Sequence, residues 1–220
     1  MWSADLVLDA ATAALTRMLM MAARPWSVPD ATSSAVFGVG AFNLVRAASF
    51  ARTGGFEWLR LEVADDVGLA DMMKRHGGRS EVLRGGAFVG MHLYTNLQEY
   101  ARSAEKGAVL LGFRAWWTVL SVIALLTIEC VPLLLVLLAA GMSWWISAVT
   151  LMMAPAAMLG LARATRQPLL PSLLIPLGTA MTTWAMLRAG LLGARQGGLR
   201  WRTTFYPRAQ LLAGRRFRPG

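Results

Sequence analysis

The chain is short of the residues that build disulfide frameworks and metal sites. It has one cysteine, Cys130, so neither a disulfide framework nor a cysteine-based zinc site forms within one chain. It has two histidines, His76 and His92. Acids are scarce and unevenly placed. Eleven of the twelve lie in residues 1–108, and the last is Glu129. The start of the chain has no basic n-region: Met1 is followed by Trp2, Ser3, Ala4 and Asp5, so no signal peptide is expected.

Apolar and basic residues are abundant. The chain is 56% hydrophobic with mean hydropathy +0.48, above a soluble average. Its net charge is +10, mostly from Arg. These cations flank apolar runs and form no stripe with interleaved aromatics, which fits membrane topology better than nucleic-acid binding. No nucleic-acid partner is expected. The distribution divides the chain into a mixed, water-facing part over 1–108, an apolar part over 109–193 and a basic tail over 194–220.

The segment 116–140, "WWTVLSVIALLTIECVPLLLVLLAA", exceeds the ~20 residues a spanning helix needs. After "GMS", a second apolar run covers 144–162. Trp116, Trp117, Trp144 and Trp145 suit interfacial belts, and the pair reads as a helical hairpin. Arg163 and Arg166 follow it, which puts that loop, and with it residues 1–115, on the cytoplasmic side. The third segment, 168–193, carries Pro168, Pro171 and Pro176 at its start. Two paths stay open for it: a re-entrant or interfacial course that returns the Arg-rich tail to the cytoplasm, which we favour, or a third full span. An earlier run, "AATAALTRMLMMAA", is interrupted by Arg17 and reads as too short to span. Glu129 in mid-span is a functional candidate by position, but no second acid or His accompanies it in the other spans, which argues against an ion pathway.

In the polar part, "AVF" and "AFNLV" within residues 35–45 read as strand. Gly38 and Gly40 between them mark either a bulge or a close backbone approach. "GVGAFN" is no dinucleotide fingerprint, because the third glycine is absent. "RAASFART" reads as a short helix ended by Gly54 and Gly55. In "LEVADDVGLADMMKRHGG", Asp65 is a candidate N-cap and Asp66 lies in the first turn. Leu69, Met72 and Met73 make one apolar face, and His76 reads as the C-cap before Gly77 and Gly78. "SEVLRGGAFVGMHLY" reads as a strand pair or bulged strand that includes His92, and "NLQEYARSAEKGAVLLGF" as a helix leading into the hairpin. Local physics alone makes Asp65 and Asp66 a helix cap.

The order of these pieces resembles the acceptor-side half of the membrane-attached family 2 inverting glycosyltransferases. The resemblance runs over residues 34–207. It is carried by "GVGAFNLVRAASFARTGGF", by the acidic motif "DDVGL" with Asp66 on its second acid, and by "HGGRSEVL". A degenerate Q-x-x-R-W region, "LQEYARSAEKG", follows, and then "LRWRTTFYP", similar to a WRG-x-x-Y signature with Thr203 in the glycine's place. The fold it implies is α/β: a partial GT-A-like acceptor-side domain over 1–108, followed by α-helical transmembrane segments.

The resemblance implies that Asp66 is the general base, with Asp65 shaping its field. It implies that Gly38, Gly40 and Asn43 line the acceptor, that Arg102 and Lys106 assist the leaving diphosphate, and that Trp201, Arg202 and Tyr206 close over the site. The partners implied are a nucleotide-sugar donor, a lipid-type acceptor and the membrane. A divalent metal, Mg or Mn, is expected for the family, but its D-x-D ligands are not in this sequence. The chain is therefore expected to be a C-terminal portion, from a truncated or split gene or a mis-called start, and to lack the donor-binding half. The alternatives are a non-catalytic remnant or subunit, or a small integral membrane protein without enzymatic activity. In those readings Arg102 and Lys106 are a solvated face or lipid-phosphate anchors, and Trp201 to Tyr206 an interfacial anchor.

Overall fold

The computed structural model describes residues 5–83, 85, 93–201 and 203–217. Among them the chain is mostly helical, and the expected α/β domain is not formed. The one sheet is a two-stranded antiparallel ladder near the C-terminus, β1 (Gly198–Trp201) and β2 (Thr204–Pro207), with Leu199 opposite Tyr206. Residues 34–39 and 42–46 have no regular structure, so the strand reading of "AVF" and "AFNLV" is wrong. Strand propensity measures fit to a pleated, half-buried surface, and among the described residues no strand lies beside these runs. Their polar backbone groups are taken up otherwise. Lys74 Nζ donates to the Ala35 carbonyl at 2.9 Å, and the Phe42 N–H donates to the Val39 carbonyl at 3.0 Å. Ser80 to Leu83 are likewise irregular, and the rest of that expected strand pair, with His92, lies almost wholly outside the described residues.

The first helix, α1 (Leu6–Ala23), corrects a second expectation. Asp5 caps it, accepting from the N–H groups of Val7 and Leu8 at 2.9 and 3.1 Å. With the following turn it forms a 22-residue stretch, Leu6–Ser27, long and apolar enough to cross a membrane. The helix begins four residues before Ala10 and runs through Arg17 without a break. Arg17 is tolerated because its guanidinium pairs with Glu129 of α7 (Ala115–Leu138) and also donates to Thr179 Oγ1 at 3.2 Å. The other two helices with enough length and apolarity are α7 and α8 (Met142–Thr165), joined at Ala139–Gly141. The 168–193 segment is not among these three among the described residues. Its prolines divide it into α9 (Leu169–Leu173) and α10 (Ile175–Gln196).

Small residues let α10 sit centrally. A Cβ on Gly178 would lie 2.4 Å from the Ala10 carbonyl oxygen of α1, and one on Gly190 would lie 2.5 Å from Thr118 Oγ1 of α7. Helices that approach this closely need small side chains at the contact. By contrast, α7 and α8 expose long aliphatic rows, including Ile128, Leu137 and Met152, and the stacked Trp116–Trp117 pair with ring centroids 4.3 Å apart. Those surfaces fit lipid.

The polar part contributes α2 (Ala47–Phe50), α3 (Gly55–Leu59), α4 (Asp65–Arg75), α5 (Leu97–Ser103) and α6 (Glu105–Leu110). Asn96 caps α5 through the Glu99 N–H, and Glu99 accepts in return from Thr95. Tyr100 of α5 is buried and ties α1 to α10: its hydroxyl lies 2.8 Å from Thr182 Oγ1 and 3.3 Å from the Ala11 carbonyl oxygen. Burial pushes this phenol from 10.0 up to about 12. Because the folded value is raised, the stability it contributes is complete below pH 10 and is lost as pH rises towards 12. Tyr100→Phe is expected to cost about 0.5–1.5 kcal/mol at neutral pH and to flatten that alkaline loss. Unfolding midpoints measured across this pH range check both effects.

The C-terminal segment folds back on the polar part. α11 (Arg208–Gly214) packs on β1, β2 and α6. Beneath it Ala108, Val109, Phe113, Leu199 and Leu211 form a buried cluster, with Val63 and Tyr206 against its edge. A Cβ on Gly193 of α10 would meet the Phe113 ring at 3.0 Å. The tail, the end of α10 and the start of α7 therefore lie together.

Candidate functional site

A cavity of about 240 Å³ opens above this cluster. Its polar and aromatic walls are Arg60, Glu62, Asp65, Lys106, Trp201 and Tyr206, and its apolar walls include Val63, Leu199 and Leu211. Each wall has a local reason for its place. Glu105 is held by Arg188 of α10 at 2.7 Å, which fixes the first turn of α6. The next residue, Lys106, sets its Nζ 3.9 Å from the centre of the Trp201 ring, a cation–π contact. Trp201 ends β1 and Tyr206 lies on β2, so the hairpin brings both aromatic rings to the same opening.

Asp65 and Asp66 open α4, but neither is its N-cap. That position is Ala64, which has no capping side chain. Both acids lie in the first turn: Asp65 Oδ1 accepts from the Asp66 N–H at 3.1 Å, and Asp66 Oδ1 accepts from the Val67 N–H at 2.8 Å. The positive end of the helix dipole favours carboxylates there. Successive helical residues point about 100° apart, so the two face different surroundings. Asp65 is exposed and walls the cavity. Asp66 is half-buried against the glycine-rich segment. A Cβ on Gly40 would lie 3.4 Å from Asp66 Oδ2, and one on Gly38 would lie 2.1 Å from the Asp66 carbonyl oxygen, so only glycine fits at position 38.

The structure thus gathers Asp65, Lys106, Trp201 and Tyr206 on one cavity, and sets Gly38 and Gly40 beside Asp66. It does not bring the remaining expected residues to that cavity. Asn43 is exposed and its Oδ1 accepts from the Val39 N–H at 3.2 Å, which closes a local turn. Arg102 is exposed on α5 and is not a wall of the cavity. Arg202 lies outside the described residues.

Glu62 was missed by sequence reasoning. It is 6% exposed, and its sequence signal is slight: a lone acid between Leu61 and Val63. His76 is the C-cap of α4, with Nδ1 2.8 Å from the Met72 carbonyl oxygen. Among the described residues no three His, Cys, Asp or Glu side chains converge in a way that fits a metal ion, so the divalent cation of the resemblance has no ligand set here.

No family model matches the chain, and no curated protein and no solved structure matches it.

Proposed function

We propose that this chain is the acceptor-side, membrane-embedded part of a glycosyltransferase of family 2 type. It would move a sugar from a nucleotide sugar to a lipid or other membrane-associated acceptor, with inversion at the anomeric carbon. The observation that carries the reading is that the acidic motif, the pre-membrane helix and the C-terminal hairpin, remote in sequence, meet at the start of α4: Asp65, Lys106, Trp201 and Tyr206 wall one cavity, and the next residue, Asp66, faces the glycine-rich segment. The reading does not rest on a GT-A sheet.

In this reading Asp66 Oδ2 takes the proton of the acceptor hydroxyl as its oxygen attacks the anomeric carbon. The bond from that carbon to the diphosphate breaks in the same step. Lys106 supplies positive charge where the departing diphosphate gathers negative charge. Gly38 lies directly against the Asp66 backbone, and Gly40 puts no side chain beside the Asp66 carboxylate, where a hydroxyl-bearing headgroup would approach. The donor is held outside these 220 residues, whether by further sequence of the same protein or by a separate polypeptide, because they contain no D-x-D. The Arg-rich flanks put the catalytic part on the cytoplasmic side.

One observation favours a second reading, a non-catalytic membrane subunit: both carboxylates of the acidic motif already accept a local backbone N–H. Binding and transfer assays separate the two. The chain alone, in nanodiscs with or without Mg or Mn, is expected to show no measurable nucleotide-sugar binding. Vesicles that also hold a donor-binding polypeptide are expected to transfer sugar. Tight donor binding by the chain alone contradicts the division of labour. Absence of transfer in every reconstitution favours the subunit reading.

A further inference from the structure

We infer that Glu62 is the positioning residue of this cavity: its buried carboxylate latches the C-terminal segment, residues 208–217, as a strap that holds the Trp201–Tyr206 hairpin closed over Lys106. The carboxylate is satisfied from two directions. Oε1 accepts from the Ala64 N–H at 3.1 Å, within its own segment. Oε2 accepts from the successive N–H groups of Arg216 and Phe217, at 2.7 and 2.8 Å. Bonds to an ionised acceptor are short and about twice as strong as neutral ones. Arg216 adds a bond from Nε to the Trp58 carbonyl at 3.3 Å, with its guanidinium 5.6 Å from the Trp58 ring centre.

α11 is seven residues long and Leu211 is its one fully buried side chain. Its far end rests on Leu61, so closely that a Cβ on Gly214 would lie 2.2 Å from the Leu61 Cβ. At its near end the Arg208 N–H donates to the Gly197 carbonyl at 2.9 Å, where β1 begins. The strap therefore follows directly from the hairpin that carries Trp201 and Tyr206, and a pull at Glu62 is transmitted to the cavity wall. This holds whichever chemistry the cavity serves, so the inference does not depend on the glycosyltransferase reading.

The sequence offers a two-site assay, because Lys74 and Lys106 are its only lysines. Lys106 lies under the Trp201 ring, whereas Lys74 bonds the Asp30 and Ala35 carbonyls on the other flank of α4. Amine acetylation of the membrane-embedded chain, read by mass spectrometry at each lysine, reports the two places separately. Glu62→Ala is expected to raise the Lys106 rate at least about tenfold by local opening, with Lys74 unchanged. Glu62→Gln keeps an acceptor oxygen and is expected to fall between. Gly214→Val leaves Glu62 intact, pries the strap from Leu61, and is expected to raise Lys106 as well. An unchanged Lys106 rate in Glu62→Ala and Gly214→Val overturns the inference. So does a parallel rise at Lys74, which would make Glu62 a support of the whole fold.

Discussion

Asp66→Asn is expected to lower sugar transfer by about 10²–10⁴-fold, the usual contribution of a positioned general base. The substitution isolates the chemistry from the fold. An amide oxygen still accepts the Val67 N–H that Asp66 Oδ1 accepts now, and the side-chain volume beside Gly40 is kept. What is lost is the proton acceptor at Oδ2. Asp65→Asn is expected to cost less, because the resemblance sets Asp66, the second acid of "DDVGL", in the base's place and gives Asp65 only an influence on its field. The measurement is labelled-sugar incorporation in vesicles that hold the complete donor-binding assembly, normalised to the amount of folded chain. If Asp66→Asn transfers at the wild-type rate, Asp66 is not the base; if Asp65→Asn is the more damaged variant, the roles of the two acids are exchanged.

Arg17→Ala is expected to destabilise the helix bundle by about 3–5 kcal/mol, because it strands Glu129 inside α7 without its counter-charge. The Arg17 guanidinium is the cation that the Glu129 carboxylate meets, and it is also bonded to Thr179 of α10, so three helices lose a common point. Glu129→Ala is expected to cost a similar amount by leaving the cation unpaired. The double variant Arg17→Met/Glu129→Leu should recover most of the loss, since an apolar pair of similar volume removes both desolvation penalties. Denaturant unfolding of the wild type, Arg17→Ala, Glu129→Ala and Arg17→Ala/Glu129→Ala in the same micelle or nanodisc gives the double-mutant cycle. A coupling energy below about 0.5 kcal/mol would mean that the pair does not hold the helices together.

This pair also shows where sequence reading stopped. An acid in mid-span and a cation in a run judged too short to cross were each visible, and neither was matched with the other. Arg17 lowered the apparent length of α1, while Glu129 seemed to lack a partner. Each charge is acceptable in its helix because the other is present, and sequence separation gives no sign of it. The absent strands have the same origin. The apolar runs "AVF" and "AFNLV" have strand composition, but a strand exists only where a second one pairs with it. Here Gly38 lies instead against the backbone of Asp66.

Local signals transferred well where the governing interactions were themselves local. The apolar hairpin of α7 and α8 follows from run length, and the break between α9 and α10 from proline. α4 begins one residue earlier than its capping pattern predicts, since Asp65 and Asp66 both lie inside its first turn.

Sequence alone therefore determined the parts of this protein that depend on neighbours within a few residues: that the runs of α7 and α8 are apolar enough to cross a membrane, where proline divides α9 from α10, and which acids open α4. Tertiary structure alone decided the rest. It paired Arg17 with Glu129, set Asp66 against two glycines, brought Lys106 under Trp201, and gave the inconspicuous Glu62 the backbone of the C-terminal strap. The reason is physical. Helix formation and apolar partitioning are summed over adjacent residues, whereas a buried charge or a cavity wall is defined by groups that only folding brings within contact distance.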